Sequence, residues 1–366
     1  MSNATFWVIV IALLILVGIS FFFLRGERFA LPNGETHPFT SEDVEHEEDE
    51  VDSIKNENIT MSTESGENKI LQRGKSTREV FATDGTKHSI PLNEILAGGP
   101  PKDGIPSIDN PKFTGVDEAD KFLTDESIGL VINYKGEKRF YPYQILVWHE
   151  IVNDAVAGDP LLVTYCPLCQ TGIVFERRVN GEEIEFGVSG LLWQSNLLMY
   201  DRQANEENES LWSQVLGEAV LGPQTGERLA IVSSDTVKYG DWKEKNPDTQ
   251  VLSRDTGTSR NYTRDPYGDY YTNNDVSFGA TFDDDRLHPK EFVLGVELNG
   301  KFKAYHAPSL PEGTTTDQFA GETITLEKSD IGEVRMFIEG EEIQYIGGFW
   351  FSWLAVHPNT NLYTAP

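Results

Sequence analysis

Cysteine is nearly absent: Cys166 and Cys169 are the only two among 366 residues. Two thiols cannot build a disulfide framework or a four-thiolate zinc site, so they act as a pair or with non-thiol partners. Basic charge is also scarce, with 30 Lys and Arg against 59 Asp and Glu and a net charge of -29. A surface of that sign repels phosphate backbones, which argues against nucleic acid as a partner and fits a role in solubility. There is no P-loop, no convincing dinucleotide fingerprint, no H-E-x-x-H pair and no basic stripe. The function classes that depend on those motifs are set aside.

The N-terminus holds a long uncharged run. Phe6 to Leu24, FWVIVIALLILVGISFFFL, is 19 residues (24 − 6 + 1) without a charge. As a helix it reaches about 28 Å, close to the hydrocarbon thickness of a bilayer. The preceding MSNAT has no Lys or Arg, and no small-x-small cleavage site follows, so the expectation is an uncleaved membrane anchor over 1–28 rather than a signal peptide. Arg25 and Arg28 follow the span and by charge alone would keep the C-terminal side in the cytoplasm. Residues 29–75, which include SEDVEHEEDEVDSIKNEN, are rich in carboxylates and poor in apolar residues. They are expected to form an acidic disordered linker, because they cannot bury enough surface to fold.

The remainder, 76–366, is expected to be globular, with short β-like runs between turn signals. Gly129 to Tyr143 predicts a hairpin turning at Tyr134-Lys135-Gly136. Asn180-Gly181 predicts a second within GIVFERRVNGEEIEFGVSG. The apolar spacing of Ile145, Leu146, Trp148, Ile151 and Val152 predicts a short helix over Ile145 to Asp154. Two echoes run along the chain. ESIGLVINYKGEKRFYPYQIL from Glu126 resembles EFVLGVELNGKFKAYHAPSL from Glu291, offset by 166 (295 − 129). WKEKNPDTQVL from Trp242 resembles WLAVHPNTNLY from Trp353, offset by 111 (353 − 242). Unequal offsets place a long insertion inside the first copy. The expected fold is therefore α+β and β-rich, with two hairpin-containing lobes, either duplicated or alike by chance, around a central motif-bearing insertion.

The candidate chemistry centres on TYCPLCQTG, Thr164 to Gly172. A Cys-x-x-Cys turn brings two sulfurs close enough to share a metal ion or close a small disulfide loop, and Pro167 stiffens it. Three uses compete. The leading one is a site for one transition metal ion, copper, zinc or iron, completed by a nitrogen or oxygen ligand. His149 is the nearest histidine, with His288, His306 and His357 as alternates. The second is a redox dithiol, although the hairpin pattern after the motif does not support a thioredoxin-like strand–helix context. The third is a structural pair. Ser189, Trp193 and Asn196, in FGVSGLLWQSNLLMYDR, are candidate ligand-binding residues, and Gly187-Val188-Ser189-Gly190 lacks the spacing of a nucleophile elbow. Arg254, Arg264 and Asp265, in LSRDTGTSRNYTRDPYGDYY, form a further candidate, either gripping an anion or pairing with nearby carboxylates. Asp265-Pro266-Tyr267-Gly268 is a turn signal.

Taken together, WHEIVND, VTYCPLCQTGIVFERRV, FGVSGLLWQSNLLMYDR, LWSQVLGEAVLGP, SRDTG, RDPYGDYY and the terminal WFSWLAVHPNTNLY resemble the domain of unknown function 3179 family, over about residues 88 to 363. The resemblance implies no activity. It implies an exported or membrane-tethered protein in which Cys166 and Cys169 match the family's dithiol, and this outweighs the charge signal from Arg25 and Arg28. Gln170 stands where many relatives have Gly or Asn, a departure at the loop rim. The chain is thus expected to be a single-pass membrane protein with an extracytoplasmic domain. That domain is a metal-binding centre or, alternatively, a thiol–disulfide oxidoreductase or a non-enzymatic binding module.

Overall fold

A computed structural model describes residues 70–71 and 73–364. The expected anchor, 1–28, and the linker up to residue 69 lie outside the described residues. Among the described residues no helix is long and apolar enough to cross a membrane. The fold is β-rich, and its α-helices are short, four to seven residues each. The helical share of the expected α+β fold is therefore small.

Two modules repeat one topology. In the first, the hairpin Ile128–Tyr134/Glu137–Pro142 is flanked by Asp235–Lys238, antiparallel, and by Gln250–Leu252, parallel. Helix Tyr239–Lys245 joins the two flanking strands. In the second, the hairpin Phe292–Leu298/Lys301–His306 is flanked by Ile346–Phe349, antiparallel, and by Asn361–Leu362, parallel. Helix Trp350–Val356 joins that pair. A parallel neighbour needs a crossover, and a short helix supplies it in both modules.

The registers agree residue by residue. Leu130 pairs with Tyr141 and Thr236, and Leu294 pairs with Tyr305 and Gly347. Arg139 pairs with Gln250, and Lys303 with Asn361. The hairpins thus correspond at an offset of 164 (294 − 130, 303 − 139) and the flanking strands at 111 (347 − 236, 361 − 250). The first value corrects the 166 obtained by aligning Gly129 with Gly295. The turns fix the register, through Lys135-Gly136 (φ 49° and 79°) and Asn299-Gly300 (φ 52° and 68°).

Each module buries the same chemistry under its sheet. Tyr141 donates to Asp154 Oδ2 at 2.7 Å, and Tyr305 to Asp317 Oδ2 at 2.8 Å. Trp242 and Trp353 are both buried on their helices. The helices end alike, at Asn246 (φ -129°, ψ 65°) and His357 (φ -136°, ψ 66°). A proline follows each, as expected where a helix must stop.

The modules differ in what interrupts them. The second carries a four-stranded meander, Gly313–Phe319 to Glu341–Ile343. The first carries the long central insertion. One of its sheets orders Ile70–Leu71, Ile231–Val232, Thr171–Glu176, Asp159–Cys166 and Ile151–Val156. A seven-stranded sheet includes Phe186–Trp193, Asn196–Asp201, Leu211–Ser213 and Glu218–Leu221. Strands such as PLLVTYC and NLLMYD are buried on both faces, which explains their nearly unbroken apolar runs. The largest core cluster holds both cysteines with Phe175, Trp212, Trp350 and Phe351.

Two local expectations change. The predicted helix over Ile145 to Asp154 is confined to Tyr143–Leu146, and Ile151–Val156 is a strand. Glu150 breaks the helix in the left-handed region, at φ 59°, and the apolar residues beyond it pair with the cysteine strand. Asn180-Gly181 does turn the chain, at φ 52° and 85°, but only Arg178–Glu183 and Val179–Glu182 pair across it. The longer strands on either side leave for different sheets.

Candidate active site around Cys166 and Cys169

The dithiol occupies the tip of a hairpin. Cys166 ends one strand and pairs with Thr171, which begins the next. Between them, Cys169 N donates to Cys166 O at 3.2 Å and Gln170 N to Pro167 O at 3.3 Å, with Gln170 at φ 49°. Strand continues directly after the motif, so the context is a β-turn and not the strand–helix junction of thioredoxin-like proteins. Both cysteines are free and buried.

A second turn lies against the first. Gln194 and Ser195 connect two strands with φ 52° and 62°, a two-residue hairpin turn built without glycine. It aims the Ser195 carbonyl at the sulfurs, 3.2 Å from Cys169 Sγ and 3.9 Å from Cys166 Sγ, so the thiol that carries the proton can donate to it. Asn196 Nδ2 reaches Cys169 Sγ at 3.6 Å and Gln214 Oε1 at 2.9 Å, while its Oδ1 accepts from Val215 N at 2.9 Å. Gln214 is fully engaged: it accepts from Thr171 Oγ1 at 2.7 Å and donates to Thr164 Oγ1 at 3.0 Å and Thr171 O at 3.1 Å. A buried network in which the Asn196 and Gln214 amides are paired at both ends holds one geometry, because freeing either leaves a desolvated polar group.

The second module closes the site from the other side. Phe349 N donates to Cys169 O at 2.9 Å. A Cβ at Gly348 would run into Thr171, so only glycine lets this strand approach. Ser352, on the helix that follows, faces Cys169 closely enough to favour its thiolate without being aligned for a hydrogen bond.

These contacts split the two thiols. Burial, the hydrogen bond with Cys169 and the charge on Cys169 push Cys166 well above the ordinary thiol range. Burial also opposes ionisation of Cys169. Hydrogen bonding from Cys166, the nearby Ser352 hydroxyl and the Asn196 amide outweigh that and hold Cys169 below the ordinary range. The same turn therefore shifts its two thiols in opposite directions, Cys166 up and Cys169 down.

A family model described as a protein of unknown function, DUF3179, matches residues 102–339. The chain belongs to this family. No curated protein and no solved structure matches it. Every residue of the dithiol turn and of the Ser195–Gln214 network falls inside the DUF3179 region, whereas Phe349 and Ser352 lie beyond its end.

The structure brings only part of the predicted set to the DUF3179 dithiol. Asn196 is in contact. Trp193 instead donates from Nε1 to Glu94 Oε2 at 2.9 Å, and Ser189 Oγ donates to Leu198 O at 2.5 Å within a bulge. His149 does not join the sulfurs: its Nδ1 is 2.7 Å from Pro106 O and its Nε2 2.7 Å from Tyr262 Oη. His288 contacts Asn274, His306 lies between Ser309 and Glu291, and His357 lines a separate cavity. Among the described residues no three His, Cys, Asp or Glu side chains converge. The donor set does not fit a four-coordinate zinc or iron site. Arg254 donates to Gln144 Oε1 at 2.9 Å and covers Phe122, while Arg264 is exposed. Asp265 accepts from Tyr267 N at 2.8 Å inside the expected turn, and Asp255 pairs with Lys112 rather than with an arginine.

Glu150 was not predicted. It is 7% exposed, and its carboxyl makes no hydrogen bond or ion pair with any described residue. Burial first, and then the neighbouring Cys166, raise it well above the usual carboxylate range. In the sequence it is one more glutamate in an acidic chain. The tyrosine cluster was also missed as a cover: Tyr270 Oη donates to Leu168 O at 3.1 Å, inside the Cys-Pro-Leu-Cys turn.

Proposed function

We propose that Cys166 and Cys169 form a thiol–disulfide redox centre, with Cys169 as the attacking thiolate and Cys166 as the resolving thiol. The observation that carries this reading is the geometry: two free sulfurs in a single tight turn, with Asn196 Nδ2 reaching only Cys169 Sγ, at 3.6 Å. A structural pair gains nothing from hydrogen bonds that favour one thiolate.

In the proposed exchange, Cys169 S⁻ attacks a disulfide R–S–S–R. A Cys169–S–S–R bond forms, the R–S–S–R bond breaks, and the leaving RS⁻ takes the Glu150 proton. Cys166 then passes its proton to the Glu150 carboxylate and attacks the Cys169 sulfur, expelling the second RS⁻. Two electrons pass from the dithiol to the substrate disulfide, and Glu150 ends as it began. Because the Tyr270 contact covers the turn, the covering segment lifts before a disulfide enters.

This chemistry suits a domain tethered by Phe6 to Leu24 on the outer side of a membrane, where disulfides form and persist. The equal registers support descent of the two modules from one duplicated unit, the dithiol insertion belonging to the first copy. The test is a single turnover of the reduced full chain in detergent with an aromatic model disulfide. Two thiolates released per chain, together with loss of both free cysteines, support the centre. Release of none, from folded protein held at mildly alkaline pH, removes it.

A further inference from the structure

A cavity of about 230 Å³ lies between the central insertion and the second module. Its wall includes Arg73, Arg228, Glu297, Trp353 and His357. Arg228 Nη2 donates to Glu297 Oε2 at 2.7 Å, and Arg73 Nη2 stands 3.9 Å from the same oxygen. One carboxylate therefore faces two guanidinium groups, which leaves a charge of +1 on the wall. Glu218, 3.9 Å from Arg228 Nε, lies behind the wall, where it accepts from Ser76 at 2.5 Å and feels the charge of Arg78.

Several polar groups around the cavity lack partners. Arg228 Nε and Trp353 Nε1 are buried without a hydrogen bond to a described residue. The His357 ring, 7% exposed, lies on Phe302 at 4.0 Å between centroids, and neither ring nitrogen bonds to a described residue. Burial, Arg78 and Arg228 push His357 down to about 3, so at neutral pH it offers one donor and one acceptor. Excess positive charge beside orphaned donors is costly inside a protein unless a ligand completes the set.

We propose that this cavity binds one small aliphatic carboxylate, gripped by Arg228 and Arg73 with His357 beside it. A single negative charge neutralises the wall, whereas a phosphate dianion would overshoot it. A planar carboxylate also matches the fork of a guanidinium. Nothing in the argument depends on the dithiol chemistry. Cys166 and Cys169 are not among the lining residues, so Cys166→Ser/Cys169→Ser changes none of them.

The test titrates the full chain in detergent with acetate, propionate and inorganic phosphate by calorimetry, and labels arginine with phenylglyoxal followed by mass mapping. The expected result is saturable binding of acetate or propionate, one per chain, at least about tenfold weaker in Arg228→Gln. The bound carboxylate should also protect the Arg228 peptide from labelling in the wild type. If Arg228→Gln fails to fold, the wild-type protection decides alone. Unprotected Arg228 with no saturable carboxylate heat overturns the proposal. So does unchanged affinity in the variant, or tighter binding of phosphate than of either carboxylate.

Discussion

Each module breaks the path from its hairpin to its next strand, one with the polar meander Gly313–Phe319 to Glu341–Ile343, the other with the sheets that hold the dithiol. Strand order, direction and register are the same in both. What the frame supplies is therefore mechanical: a hairpin, a crossover helix and a buried Tyr–Asp pair. The chemistry is added where the insertion of one module meets the helix of the other, and Ser352 and Phe349 reach Cys169 from there. The frame and the active turn should thus respond to different mutations.

The largest expected effect falls on the turn. Cys169→Ser should abolish release of thiolate from a model disulfide, while its melting temperature moves little, read by circular dichroism. A variant that keeps full exchange would mean that Cys166 attacks instead.

Next come the paired tyrosines, which test whether the modules are energetically alike. Tyr141→Phe strips the Asp154 carboxylate of its hydroxyl donor, leaving the Ala155 N–H. In the second module Asp317 keeps its ion pair with Lys303 after Tyr305→Phe. The expected loss is about 2 kcal/mol for the first and about 1 kcal/mol for the second in urea unfolding. The reverse order would show that the two frames are not balanced as described.

The third effect lies in pH. Above about pH 6.5 His357 is neutral folded or unfolded, and pH does not act through it. Below that, the unfolded chain takes up a proton that the folded ring refuses down to about pH 3. Stability should therefore fall as pH falls through this window, at about 1.4 kcal/mol per unit for one proton. His357→Phe should remove that part of the slope, and an unchanged slope would place the ring in water. The smallest effect is Asn196→Ala, which should raise the pH at which the Cys169 thiolate absorbs near 240 nm and slow its alkylation at neutral pH.

Much of the frame was legible in the sequence. Lys135-Gly136 and Asn299-Gly300 mark hairpin turns by their chemistry, and the Trp–Pro–Thr echo marks two like segments, which the structure shows to be the crossover helices and their stops. The dithiol was visible because cysteine is so rare here. Asn196 stood out as a ligand-binding candidate, but the contact of Asn196, Ser195 and Gln214 with the dithiol turn did not. They lie 26 or more residues beyond Cys169 in the chain, and they meet the turn through strand pairing that no local pattern encodes. Glu150 gave no sign because its significance is burial without a partner. The apolar periodicity around it pointed to a helix that its own left-handed backbone stops. His149, the chosen ligand, lies next in the chain to Glu150, and its ring packs toward Pro106 and Tyr262 instead of the sulfurs.

The most direct test is the reduction potential of the Cys166–Cys169 pair, measured on the full chain in detergent. The protein is equilibrated in glutathione buffers and the alkylated species are read by mass. A redox centre predicts reversible two-electron interconversion between about -270 and -120 mV, the range of known exchange proteins. A pair that stays reduced in the most oxidising buffer, or that forms an inert disulfide below about -300 mV, would contradict the account.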